Sequence, residues 1–362
     1  MRIENLFIKN FRGIAECKVE LNQGFNVLIG SNSSGKTSVI KALNWLLNPF
    51  MQPIINNSIP YGIQATSENS IIVEADFSFD AEDYVEMKSM LANNKSISAA
   101  LPAKIPDELR FKYTKYGTVR KGNIANIQQN MVFSDLSNTA YQHLIGWAAQ
   151  KAQSSTLIYF HGFEQSWDVN GFQNFIPTSQ VNSININQPN QLILYIKSII
   201  LKLKDEEPEN FNSFKEKILS SQSLIKEFDA DFNIRTGRAE IWVKYSESDF
   251  KRPLENEGLG FQEYIYLLVL ILLYPNKLIV MDEGLVHMHR ELLRNFITSI
   301  TDTNFQILMT SHVRELVQIL DYSNLIYCSN KNGKIEVQNF SSIDDLKAVY
   351  TELGYLDESN LA

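Results

Sequence analysis

"NVLIGSNSSGKTSVIKAL", residues 26–43, decides the fold. Val27, Leu28 and Ile29 read as a buried strand, and Val39, Leu43 and Leu46 recur three and four apart as one face of a helix. Between strand and helix stands the pattern G-x-x-x-x-G-K-[ST], from Gly30 to Thr37. Each part suits a phosphate. Gly30 and Gly35 permit backbone angles that turn successive N–H groups inward, and a helix starting near Lys36 points its positive end at the same place. Lys36 supplies a point charge for β- and γ-phosphates, and Thr37 a hydroxyl for Mg²⁺. The expected ligand is therefore a nucleoside triphosphate with its metal.

The chain around this loop has 362 residues, 44% of them hydrophobic, enough for one large α/β domain or two ordinary ones. Its opening "MRIENLFIKNF" alternates like a strand rather than a secretory leader, and the apolar run 264–275 is too short to span a bilayer, so a cytoplasmic location is expected. Cys17 and Cys328 lie in separate strand-like segments without metal spacing and read as buried thiols. A net charge of −8 argues against nonspecific coating of nucleic acid. Residues 104–122, "KIPDELRFKYTKYGTVRKG", are locally basic with Phe111, Tyr113 and Tyr116 interleaved. Two readings stay open there: a grip on a single strand by charge and stacking, or an amphipathic strand with Arg110, Lys112 and Thr114 on its wet face.

A phosphate loop needs a carboxylate on a neighbouring strand. "NKLIVMDEGLVHMHR" provides it, with Leu278 to Met281 as a fully buried strand and Asp282 and Glu283 at its carboxyl end, where ligands of open α/β sheets collect. Asp282 is expected to hold the Mg²⁺ shell, and Glu283 to act as general base on the attacking water. A further apolar strand, "FQILMTSH" at 305–312, ends on His312, placed to sense or stabilise the γ-phosphate.

These segments carry a family resemblance. "IKNFRGIAECKVEL", "GSNSSGKTS", "LIVMDEGLVHMH" and "ILMTSH" resemble the opening hairpin, Walker A, Walker B and switch-histidine strand of ABC-type ATPases of the SMC/RecF kind. They are most similar to the OLD-family ATPase domain and its AAA15 and AAA21 relatives, over residues 2–48 and about 254–330. The resemblance implies an ABC-type P-loop head of α/β class, with a mixed or parallel central sheet, an antiparallel N-terminal β-subdomain and an inserted, mainly helical arm. It implies that Arg12 approaches the nucleotide phosphates, that Asn32 lies beside the γ-phosphate, and that the loop residues Gly30, Ser31, Asn32, Ser33, Ser34, Gly35, Lys36, Thr37 and Ser38 line the nucleotide. His287 and His289 match the family's two histidines after Walker B, whereas Gly284 and Leu285 replace its Pro and second Glu. In "ENEGLGFQEYIYLLVLILL", Gly258, Gly260 and Gln262 stand where the family's signature motif faces a nucleotide on a second subunit, opening a helix expected over 262–273; the usual Ser has no counterpart.

Residues 1–80 and 236–362 are thus expected to form the two lobes of the head, with 81–235 inserted between them. Sustained heptads are absent from the insertion. Leu192, Ile196, Ile199 and Leu203, then Phe211, Phe214, Ile218, Ile225 and Phe228, predict two helices broken at "DEEPEN", while "NSIIVEADFSF" and "TLIYFHGFEQ" predict strands, and 178–191 a loop. The resemblance offers Gln165 as a metal-side glutamine. The residues after His312 are fewer than the TOPRIM nuclease domain of full OLD nucleases requires, so any nuclease is expected on a separate partner. The function this implies is ATP hydrolysis by an ATPase that dimerises with ATP and Mg²⁺ and controls an effector, as in bacterial anti-phage systems. A RecF-like DNA-repair ATPase and a nucleotide-locked scaffold are the alternatives.

Overall fold

The computed structural model describes residues 1–47, 70–92, 109–120, 123–133, 142–155, 158–161, 189–235, 237–273, 278–301 and 303–354. Along the first stretch run β1 (Arg2–Phe11), β2 (Ile14–Glu20), β3 (Gly24–Ile29) and α1 (Lys36–Leu47); β4 (Ser70–Ser78), α2 (Ala81–Ala92), β5 (Arg110–Arg120), β6 (Asn123–Phe133), α3 (Gln142–Ser155) and β7 (Ile158–His161) follow. Then come α4 (Pro189–Glu206), α5 (Pro208–Ser221), β8 (Ile225–Asn233), β9 (Arg238–Tyr245), β10 (Lys251–Pro253) and α6 (Leu259–Leu273). The last elements are β11 (Leu278–Asp282), α7 (Arg290–Ile300), β12 (Gln306–Thr310), α8 (Arg314–Ile319), β13 (Leu325–Lys331), β14 (Lys334–Asn339) and α9 (Ile343–Glu352).

An 11-stranded sheet runs in the order β6-β5-β4-β1-β2-β14-β13-β3-β12-β11-β7, and β10-β9-β8 form a separate ribbon. Strands β13, β3, β12, β11 and β7 are mutually parallel, whereas β6, β5, β4, β1 and β2 form an antiparallel wing. The parallel strands are apolar without alternation because both faces are covered. Phe25, Val27, Ile279, Met281, Ile307 and Met309 pack into one core with α4 to α7, while Leu28, Leu278, Val280 and Leu308 pack into the other, which holds α1 and the antiparallel wing. No helix among the described residues is long and apolar enough to cross a membrane.

Residues 81–235 are woven into this sheet. β5 and β6 extend the antiparallel wing and β7 forms the parallel edge, so the segment adds strands as well as helices; position 235 falls in the turn between β8 and β9. Ile196, Ile199 and Leu203 on α4 and Phe211, Phe214 and Ile218 on α5 are buried as the helical spacing predicts. Ile225 and Phe228 correct that reading, because they lie on β8. A register shift between Ile225 and Glu227 lets residues three apart in this strand face the same core, which imitates a helical period.

The described part of the basic segment, β5, is an amphipathic strand, while residues 104–108 and 121–122 lie outside the described residues. Phe111 and Tyr113 are fully buried, unavailable for stacking, while Lys112 pairs with Glu74 at 2.8 Å and Arg110 with Glu4 at 3.2 Å. Thr114 departs from the expected wet face: it is buried, donating to Glu74 Oε2 at 2.9 Å. Lys115 points the other way, into the core, where Nζ donates to the Trp45 carbonyl near the end of α1 at 2.7 Å and lies 5.1 Å from the Trp45 ring centroid. Burial lowers its pKa from an ordinary 10.5 to about 8. Below about pH 8 folded and unfolded Lys115 are both charged and the folded chain bears the full desolvation cost; stability then rises until about pH 10.5, where unfolded Lys115 is neutral too. Denaturant unfolding should therefore show wild type gaining roughly 2–3 kcal/mol across this window relative to Lys115→Met. Parallel pH profiles for the two proteins would refute the assignment.

Candidate functional site

The carboxyl ends of β3, β11 and β12 meet at one cleft of ≈ 700 Å³, walled by Arg12, Gly13, the loop 32–38, Asp282, Glu283, Thr310, His312 and the β13–β14 turn. The loop is shaped by what it cannot avoid touching. At Gly30, φ +148°, a Cβ would stand 2.1 Å from the Cys328 carbonyl oxygen, and at Gly35, φ +101°, 2.5 Å from Ile335, so any side chain would force loop and hairpin apart. Lys36 is buried, 6% exposed, and its Nζ donates to the carbonyls of Gly30 at 2.9 Å and Ser31 at 2.8 Å. Desolvation lowers its pKa, opposed by the nearby acidic groups Cys328, Asp282 and Glu283. Buried Ser34 Oγ packs against Gly30 and has no hydrogen-bond partner among the described residues.

Asp282, 4% exposed, is the junction of the cleft. Its Oδ1 accepts from Thr37 Oγ1 at 3.1 Å and from Thr310 Oγ1 at 2.8 Å. The Thr310 hydroxyl in turn accepts the Glu283 N–H at 2.7 Å. Thr310 therefore links the two acids, a role that sequence reading missed although "MTSH" set it two residues from His312. Glu283 is exposed at the rim with φ +62°, an unusual angle for a non-glycine residue. His312 is also accessible in the cleft; partial desolvation holds its pKa below the ordinary value, with Lys36 adding to the depression and Glu283 opposing it. Its resting form near neutral pH is thus the uncharged imidazole, able to donate one hydrogen bond.

A second missed residue is Asn330. It lies on the β13–β14 hairpin, whose Asn332 and Gly333 both have positive φ, and its Nδ2 donates to the Ser33 carbonyl at 3.1 Å while Oδ1 accepts from Gly333 N at 2.9 Å. The Asn-Gly turn was readable in "NKNG"; its docking on the loop was not.

The structure gathers Arg12, Asn32, Ser33, Ser34, Gly35, Lys36, Thr37, Ser38, Asp282, Glu283 and His312 around this cleft, with the Gly30 and Ser31 carbonyls behind Lys36. It does not bring in the Gly258 turn. Gly258 and Gly260 line a separate cleft of ≈ 410 Å³ with His287 and His289. α6 begins at Leu259, earlier than expected, so Gly260 and Gln262 are helical. Gln262 is 1% exposed, and its Nε2 donates to the carbonyls of Glu257 at 2.7 Å and Glu255 at 3.3 Å, so its side chain locks the preceding turn instead of facing outward. His289 caps α7, its Nδ1 accepting from Leu292 N at 3.1 Å. Gln165 lies outside the described residues.

The donor set fits Mg²⁺ carried by a triphosphate. Among the described residues no three His, Cys, Asp or Glu side chains cluster as a dedicated metal cage, whereas Thr37 and Asp282 sit together beside the loop, the one-hydroxyl, one-carboxylate arrangement that leaves the other positions to phosphate and water. The chain also has relatives. The family model described as AAA ATPase domain (AAA_15) matches residues 1–317. An ATP/GTP phosphatase of Helicobacter pylori is 23% identical over 355 residues, covering 88% of this chain and 87% of that protein. The DNA replication and repair protein RecF of Glaesserella parasuis is 43% identical over 63 residues, 17% of this chain and 18% of RecF. In fold, the chain is similar to an SMC head bound to the C-terminal winged-helix domain of ScpA, with TM-score 0.57, 14% identity, and 96% of this chain and 100% of that one covered. It is likewise similar to the SMC head of Thermotoga maritima, with TM-score 0.51, 13% identity, and 94% and 100% covered.

A phosphate held by Lys36 gains a charge-assisted contact worth about 1.5–3 kcal/mol. Lys36→Met keeps the aliphatic stem, so titration with a fluorescent ATP analogue should show affinity lowered roughly 10- to 100-fold. An unaltered dissociation constant in a folded variant would remove the loop as the phosphate site.

Proposed function

We propose that this chain, which belongs to the AAA ATPase domain family, binds ATP with Mg²⁺ at the Gly30–Ser38 loop and hydrolyses it. The observation that carries this reading is the convergence of Lys36, the Thr37–Asp282 pair and the rim carboxylate of Glu283 in one cleft. Bound Mg²⁺ would supply charge neutralisation between β- and γ-phosphates, with Thr37 and Asp282 holding it. Lys36 exchanges its carbonyl partners for phosphate oxygens, Arg12, Asn32 and the loop amides position the phosphates, and neutral His312 donates to the γ-phosphate. Glu283 takes the proton of the attacking water, and its exposure at the rim leaves it open to that water.

The lobes 1–80 and 236–362, with 81–235 inserted, then act as one head. Gly258, exposed at the start of α6 in the second cleft, is the surface offered to nucleotide on another copy, so ATP favours a dimer. That state would control a separate effector, such as a nuclease, in bacterial anti-phage defence, an extension supported by the OLD-like motifs. The RecF similarity supports DNA repair as a second reading, although among the described residues of the aromatic-basic segment Arg110 and Lys112 already pair with acids.

Glu283→Gln keeps shape and one accepting oxygen but loses basicity. Phosphate release should fall about 100- to 10,000-fold with ATP affinity retained. Light scattering of the ATP-loaded variant should show the mass of a dimer or larger assembly. Wild-type turnover would eliminate Glu283 as the base, and an unchanged mass would eliminate nucleotide-driven association.

A further inference from the structure

Glu263 is the one charged side chain of the otherwise mostly apolar α6, and it has no exposed surface. A carboxylate in that position is costly, and desolvation pushes its pKa up to about 7. Its compensation comes from main-chain amides: Oε1 accepts the Leu285 N–H at 3.0 Å, and the His287 N–H also favours the charged form. Oε2 has no hydrogen-bond partner among the described residues. A leucine would pack in such a helix at less expense, so the acid has to be accounted for by what it holds.

Both amides belong to the turn that hangs from Glu283. This turn carries two non-glycine residues in left-handed conformation, Glu283 at φ +62° and Leu285 at φ +63°, each costing about 1–3 kcal/mol unless neighbours fix it. Thr310 fixes its front, accepting Glu283 N at the hydroxyl, 2.7 Å, and Gly284 N at the carbonyl, 3.1 Å. Glu263 fixes its back. The start of the same helix presses on the turn as well: a Cβ at Gly260 would stand 2.2 Å from the His287 carbonyl oxygen.

Resting on the ATPase reading above, we propose that Glu263 is a positioning residue for hydrolysis, its carboxylate pinning the Leu285–His287 amides so that Glu283 is held over the γ-phosphate and its placement is tied to the start of α6. Glu263 touches neither nucleotide nor metal ligand. It acts through the backbone, so what matters is an acceptor at Oε1 rather than a charge.

Glu263→Leu removes the acceptor while keeping the volume, and Glu263→Gln keeps a carbonyl oxygen there. In steady-state assays the Leu variant should lose about tenfold or more in kcat with KM and ATP-analogue affinity changed less than about threefold, and the Gln variant should stay within about threefold of wild type. Hydrogen exchange over residues 283–289 should quicken in the Leu variant and not in the Gln variant. Wild-type kcat in Glu263→Leu, an equal loss in both variants, or a loss confined to ATP binding would each overturn the inference. Should Glu263→Leu not fold, Glu263→Asp, one methylene too short to reach, is judged by the same criteria. A wild-type protein without ATP turnover would overturn the ATPase reading and this inference together. Turnover abolished by Glu283→Gln but untouched at Glu263 would overturn the inference alone.

Discussion

One oxygen atom, Oδ1 of Asp282, receives hydroxyls from Thr37 and Thr310 and so ties the start of α1, the end of β11 and the end of β12 into a single corner. A buried carboxylate is tolerable only when such donors surround it. The cost of burying Asp282 is offset by those two hydroxyl donors. Had either threonine been apolar, the acid would be left under-partnered and the strand ends would lose their common anchor. The corner explains why the sheet must be parallel on this side. Only parallel neighbours deliver three carboxyl ends, with their loops, to the same edge.

The loop adds a second constraint, one of space. Gly30 lies against the Cys328 carbonyl and Gly35 against Ile335, so the phosphate loop is wedged between β3 and the β13–β14 hairpin instead of standing free. Cys328, fully buried with its pKa pushed up to about 12, contributes packing and a carbonyl rather than thiol chemistry. Asn330 then fastens the hairpin tip to Ser33. A loop restrained in this way has little left to order on binding a ligand, which lowers the entropic cost of any such binding.

Much of this was legible in the sequence where a local pattern and a chemical need coincided. Strand, glycine-bracketed loop and helix follow one another within residues 26–43, and Asp282 and Glu283 end a run whose burial on both faces shows as unbroken apolarity. Legibility failed where tertiary contacts decide. Thr310 and Asn330 are ordinary polar residues until β12 and β13 flank the loop strand. Ile225 and Phe228 carried a helical spacing produced by a bulge, and Gln262 had the right place for an outward donor but the wrong direction, because nearby carbonyls at Glu255 and Glu257 needed satisfying. Arg110 and Lys112 read as a free basic patch only while Glu4 and Glu74, distant in sequence, were out of view.

The likeness to SMC heads at 13–14% identity fits this division between local pattern and distant contact. Apolar side chains on a two-faced sheet can be exchanged for others of similar volume at small cost, since the core asks for pattern and density more than for particular residues. Positions governed by a close approach or a buried charge have no such freedom. Gly30 cannot accept a Cβ, and Asp282 cannot give up its two hydroxyl donors without stranding a charge. A fold of this kind therefore tolerates wide drift in sequence while its chemistry rests on a few contacts. Those contacts gather where β3, β11 and β12 end, because that is where backbone, charge and solvent meet.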